Sequence, residues 1–210
     1  MKLVTRDNLE SWANTTFSKA TLPYLISRLI RATTPTNTKV NLPSGSATYI
    51  GGWDGVVNCE IDTAFVPRGI SLWEFGTTDD CKGKADDDYD KRKKNPDGYN
   101  PSDCIFIFAT PRLWSKKSKW VNAKKAENYW KDVIVYDAVD IEQWLDNALS
   151  VSRWFASQDG VGTYPFDGIM TADEFWEEWS IGGKKLVLLP ECIISGREYE
   201  KNQLLSALQG

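Results

Sequence analysis

Histidine is absent from all 210 residues of the chain. That removes Ser-His-Asp and Cys-His hydrolases, H-E-x-x-H metalloproteases and imidazole-ligated metal sites. Cysteine is sparse: Cys59, Cys81, Cys104 and Cys192 form no C-x-x-C pair. Neither a zinc site nor a disulfide framework is therefore expected. No apolar run approaches the ~18 residues of a membrane span. The start carries no charged-then-apolar signal segment, so the expected location is the cytoplasm, with no membrane partner. The chemistry left to the chain is that of carboxylates, lysines, arginines and tyrosines. Carboxylates with lysine suit magnesium or manganese, hard cations that prefer oxygen.

Hydrophobic residues make up 41% and charged residues 26%, as in an ordinary globular protein with one sizeable core. The net charge of -4 argues against a protein that coats nucleic acid nonspecifically, but the charge is uneven. Between Arg112 and Lys131 stand six lysines and one arginine against a single acid, Glu127, and "KRKK" at 91–94 adds four more cations. Acids gather at 79–90 and from Asp137 to Glu178. A basic face beside an acidic pocket suits an enzyme acting on phosphodiesters; a solvated lysine-rich helix is the competing reading.

The period of the apolar residues gives the order of elements. "TRDNLESWANTTFSKA" puts Leu9, Trp12, Ala13 and Phe17 on one helical face, with Thr5 or Asp7 to cap it. "TLPYLISRLIRAT" reads as a separate helix, with Thr21 as cap and Pro23 in its first turn. Alternation then predicts a strand in 36–52, and "WDGVVNCEI" and "GISLWEFGT" read as the second and third strands. "KADDDYDKRKKN" reads as a helix ending before Pro96, "CIFIFAT" as a central buried strand and "DVIVYDA" as another. A basic helix lies between those two strands, and "VDIEQWLDNA" and "SVSRWFAS" read as helices after them. "TADEFWEEWS" predicts a helix capped by Thr171, and "KKLVLLPECII" a last extended segment. Residues 1–160 are expected to form the main domain, 161–195 an extension packed on it, and 196–210 the start of a further module.

Two acids stand out. Asp54, in "GGWDGVV", sits where an Asp-Gly turn is the simplest reading and a metal ligand the alternative. Glu74, in "SLWEFG", is a carboxylate in an otherwise apolar strand.

The order helix, three strands, helix, strand, helix, strand resembles the core of the restriction-endonuclease-like fold, an α/β fold with a mixed sheet flanked by helices. "GWDG" followed by "SLWEFG" resembles its PD-(D/E)xK arrangement, and Mrr-type nuclease domains in particular. "KADDDY-x-KR", "FIFATPR-x-W" and "V-x-V-x-D-A-x-D-I-x-x-WL" resemble the variant found at the N-terminus of bacterial anti-phage signalling NTPases. The likeness covers about residues 8–157 and rests on the order of short elements. "GRE-x-E…LL-x-x-L" at the end resembles the lead-in to such an NTPase module, with a core-packing terminal helix as the alternative.

What the resemblance implies is a Mg2+- or Mn2+-dependent endonuclease acting on double-stranded DNA. It would be the effector of a longer defence protein with C-terminal NTPase and sensor regions, oligomeric when activated. Asp54, Glu74 and the Phe75 carbonyl would hold the metal. The motif lysine expected two places after Glu74 is replaced by Gly76, which leaves Lys84, with Lys82 in reserve, to supply the catalytic cation. Lys91, Arg92, Arg112, Lys116, Lys117 and Lys119 are the candidate phosphate contacts. Glu10 is a candidate extra carboxylate or a surface acid. Asp137 and Asp140 read as helix caps. Trp114 and Trp120 are candidates to stack on a base, against a core role for the tryptophans in general. The alternative function is a nuclease-fold module without catalysis that binds DNA or scaffolds an oligomer. A phosphodiesterase acting on RNA or nucleotides is a third.

Overall fold

The computed structural model describes residues 2–43, 52–158, 161 and 195–209. The chain divides into two units, 1–164 and 165–210. The expected helix over "TADEFWEEWS" and the segment "KKLVLLPECII" lie outside the described residues, as does Cys192.

Unit 1 is built on a five-stranded mixed sheet in the order β1-β2-β3-β4-β5: Lys39–Asn41, Gly55–Cys59, Gly69–Phe75, Cys104–Ala109 and Asp132–Tyr136. β1 pairs β2 and β2 pairs β3 antiparallel, whereas β3 pairs β4 and β4 pairs β5 in parallel. The parallel pairs need crossovers, and two helices provide them: α3 (Cys81–Lys94) joins β3 to β4 and α4 (Lys117–Ala126) joins β4 to β5. β4 is buried at all six positions, as its continuous apolar run requires.

Period-two alternation divides the core between the two faces of the sheet. Leu72, Phe106, Phe108, Val133 and Val135 pack with Ala85 and Tyr89 of α3 and with Trp114, Trp120 and Trp130. The opposite face presents Trp73, whose ring stacks on Tyr136 with centroids 5.8 Å apart and lies beside Trp144. There α1 (Arg6–Ala13), α2 (Ser18–Thr33), α5 (Ala138–Asp146) and α6 (Leu149–Ala156) complete the fold. Trp12 meets Phe155 edge-on, and the Trp144 indole donates to Thr33 Oγ1 at 2.9 Å.

Two helix boundaries differ from the sequence expectation. α1 stops at Ala13, and the second helix begins at Ser18, whose hydroxyl donates to the carbonyls of Ala13 and Thr15. Pro23 therefore lies inside α2, beyond its first turn. Phe17, expected on a buried face, is 68% exposed because it falls in the break between the helices. Thr5 does cap α1, in a reciprocal box with Asn8. Asp137 and Asp140 form the same device at the start of α5, the capping role read from the sequence.

Unit 2 is described only from 195 to 209. Its helix α7 (Glu198–Gln209) exposes Leu204, Leu205 and Leu208. No helix among the described residues is long and apolar enough to cross a membrane.

Candidate functional site

Asp54 directly precedes β2, whose register pairs Gly55 with Trp73. Extending that register by one residue sets Asp54 opposite Glu74, on the sheet face covered by α3. The Phe75 N–H closes the arrangement by donating to Asp54 Oδ2 at 3.1 Å. Within a strand, the N–H and C=O of one residue leave by the same edge. The Phe75 carbonyl therefore faces the edge on which Asp54 lies. Asp54 thus lies in a bend directly before β2, with its side chain aimed at the end of β3. The approach to it needs glycine: Gly52 has φ +113°, and a Cβ there would come within 3.2 Å of Asp97 Oδ2.

Three residues of α3 at helical spacing face these acids: Lys84, Asp88 and Arg92. Asp80 caps the helix, its carboxylate accepting from the Gly83 N–H at 2.8 Å. The Lys84 ammonium is held by both oxygens of Asp88, at 2.6 and 2.7 Å. Arg92 donates from Nε to Glu74 Oε1 and from Nη2 to the Gly52 carbonyl, with its guanidinium over the Trp53 ring at 4.5 Å. Glu74 is 1% exposed and Arg92 3%.

Burial, followed by the charges of Asp54 and Asp88, pushes the Glu74 carboxyl up to about 8, although Arg92 opposes the shift. Burial also raises Asp88 above the ordinary aspartate value, against the pull of Lys84. Such a cluster of acids perturbed by burial and by one another marks a candidate functional site.

Gly76, where the resemblance led to the expectation of a lysine, has a steric explanation. A Cβ there would lie 2.7 Å from Phe108 Cζ and 2.9 Å from Lys84 Cγ. The side chain of Lys84 fills the room that residue 76 would otherwise use. Lys82, the reserve candidate, is exposed and pairs with Asp86 at 2.6 Å.

The candidate phosphate contacts divide into two groups. Lys91, Lys116 and Lys119 are exposed. The other three, also read as phosphate contacts, turn inward to partners within the protein. Arg92 is spent on Glu74 and Gly52. Arg112 donates to the carbonyls of Thr77 and Glu10 and to Asn14 Oδ1, and pairs with Asp79 at 3.0 Å. Lys117 bonds Asp137 at 2.9 Å and also Asp140. Burial disfavours the Lys117 charge, but these two acids outweigh it and raise the ammonium above its ordinary value.

Glu10 accepts from the Leu113 N–H and so ties α1 to the segment that follows β4. Trp114 and Trp120 are both buried against the α3 face, and the Trp120 indole donates to Asp86 Oδ1 at 2.8 Å. They are core residues and offer no free ring to a base. The inward course of Arg92 had one sequence signal, its spacing of four and eight residues from Asp88 and Lys84, which the surrounding lysines obscured.

Among the described residues, no three His, Cys, Asp or Glu side chains converge as a ready-made cage for a metal ion. The donor set of two carboxylates and a main-chain carbonyl nonetheless suits a hard cation that keeps much of its water and takes further oxygens from substrate phosphate. The chain matches no family model, no curated protein and no solved structure.

Proposed function

We propose that unit 1 is a magnesium- or manganese-dependent nuclease domain with a restriction-endonuclease-like core, hydrolysing phosphodiester bonds of double-stranded DNA. The observation that carries the reading is the placement of Lys84. Its side chain takes the space left free by Gly76, on the helix that faces Asp54 and Glu74. A lysine supplied from α3 stands in for the one the motif lacks.

Asp54, Glu74 and the Phe75 carbonyl would hold the cation, which when bound supplies Lewis acidity to a phosphate oxygen and to water. Glu74 gives up its proton to serve as a ligand. Lys84, loosened from Asp88 by an incoming phosphate, offsets the charge that builds on the non-bridging oxygens during in-line attack by water. Asp88 holds the ammonium until then and keeps it from pairing with Glu74. Lys91, Lys116 and Lys119 track the backbone of the duplex. A role as the effector of a longer anti-phage NTPase, active as an oligomer in the cytoplasm, belongs to the same proposal. It rests on the sequence resemblance alone.

The second reading, a nuclease-fold module without catalysis, is favoured by one feature. Protein cations already compensate the acids, Glu74 through Arg92 and Asp88 through Lys84. Cleavage of supercoiled plasmid in Mg2+ or Mn2+ separates the two readings. It should be run with the parent chain, Asp54→Ala, Glu74→Ala and Lys84→Ala, beside the longest natural form that can be made. Cutting that is lost with either acid supports the enzyme. DNA binding without cutting, in the longest form as well, leaves the module.

A further inference from the structure

Arg92 is an unusual residue to bury. It is 3% exposed at the far end of α3, in a run of four cations whose other members, Lys91, Lys93 and Lys94, all point outward. Anchoring the helix does not require it, because Cys81, Ala85 and Tyr89 already fix α3 to the sheet and Asp80 caps its start. An apolar side chain of similar length would cover Trp53 without the desolvation of a guanidinium. What the guanidinium adds is a bridge. Its Nε–H holds Glu74, and its Nη2–H holds the carbonyl of Gly52, two residues before Asp54. Its face lies on Trp53, the residue between them.

We infer that Arg92 is a positioning residue, setting the Asp54 loop against Glu74 so that the two carboxylates face the same point. The inference rests on the reading that these acids act together. Arg92 touches neither phosphate nor water on this view; it acts through Glu74 and through the backbone of 52–54. Its planar fork explains why arginine stands there: one rigid group can donate to a side chain and to a main-chain oxygen at once. A lysine ammonium carries the charge without that fixed geometry.

The Phe75 amide is a built-in reporter, since its hydrogen bond to Asp54 Oδ2 is made only while the loop is in place. Hydrogen exchange at single amides, followed by NMR on the metal-free 210-residue chain, tests the inference with Arg92→Gln and Arg92→Lys. The expected result is exchange at Phe75 at least tenfold faster in both variants, with the β4 amides of Phe106 and Phe108 unchanged. If Arg92→Gln fails to fold, Arg92→Lys decides alone. Unchanged exchange at Phe75, acceleration shared equally with β4, or full protection in Arg92→Lys would overturn it. Because no metal is present, this result and a metal titration can fail independently of each other.

Discussion

Lys84 lies where a side chain at Gly76 would have to go: a Cβ built on the glycine comes within 2.9 Å of Lys84 Cγ. The two positions compete for one volume beside the Asp54–Glu74 pair. A side chain at residue 76 and the Lys84 side chain therefore cannot both keep their present places. Phe108, 2.7 Å from the same point, closes the volume from the neighbouring strand.

Gly76→Ala should for that reason be destabilising, by about 1–3 kcal/mol, the usual range for overpacking a core. Chemical denaturation of the two chains measures it. Adding Lys84→Ala should recover part of the loss and not all of it, because the aromatic contact persists. Full tolerance of Gly76→Ala would mean that the space is not contested.

The raised Glu74 carboxyl gives a pH signature with a definite sign. The folded chain binds this proton more tightly than the unfolded chain does, from an ordinary value of 4.5 to about 8 when folded. The contribution to stability is full below about pH 4.5 and declines as pH rises towards 8, by at most about 1.4 kcal/mol per unit. Thermal unfolding in a chelator between pH 5 and 8 should show this decline, and Glu74→Gln should remove it. A profile shared by parent and variant would contradict the assignment.

Arg112 and the exposed lysines should separate by assay. Arg112→Ala leaves the Thr77 and Glu10 carbonyls without their donor, and the expected loss of stability is about 2–4 kcal/mol. Replacing Lys116 and Lys119 together by alanine should leave stability within about 0.5 kcal/mol. The same pair should weaken DNA binding and flatten its dependence on salt. Urea denaturation and a salt series of binding curves provide the two readouts.

Much of the fold was legible because its signals are local. The apolar run of β4 and the short, largely apolar stretches of β2 and β3 each needed only a few consecutive residues. Glu74 was conspicuous as the acid in an apolar strand. What the sequence hid was direction. "KRKK" reads as four solvated cations, yet only its second member turns inward, because the 3.6-residue period sets Arg92 in line with Lys84 and Asp88. Arg112 and Lys117 were hidden for a different reason: their partners, Glu10, Asn14, Thr77 and Asp137, come from elsewhere in the chain and meet them only through the tertiary fold. The break between α1 and α2 was legible but misplaced, because the apolar spacing carries through Phe17 without interruption, while the hydroxyl of Ser18 binds the end of the first helix.

The most direct test of the site is a titration of Mn2+ into the 210-residue chain, followed by the electron paramagnetic resonance of the free ion, for the parent and for Asp54→Ala. The expected result is saturable binding by the parent that weakens at least tenfold when Asp54 is removed. Binding that is absent from the parent, or unchanged in the variant, would contradict the assignment of Asp54 and Glu74 as the metal-holding pair.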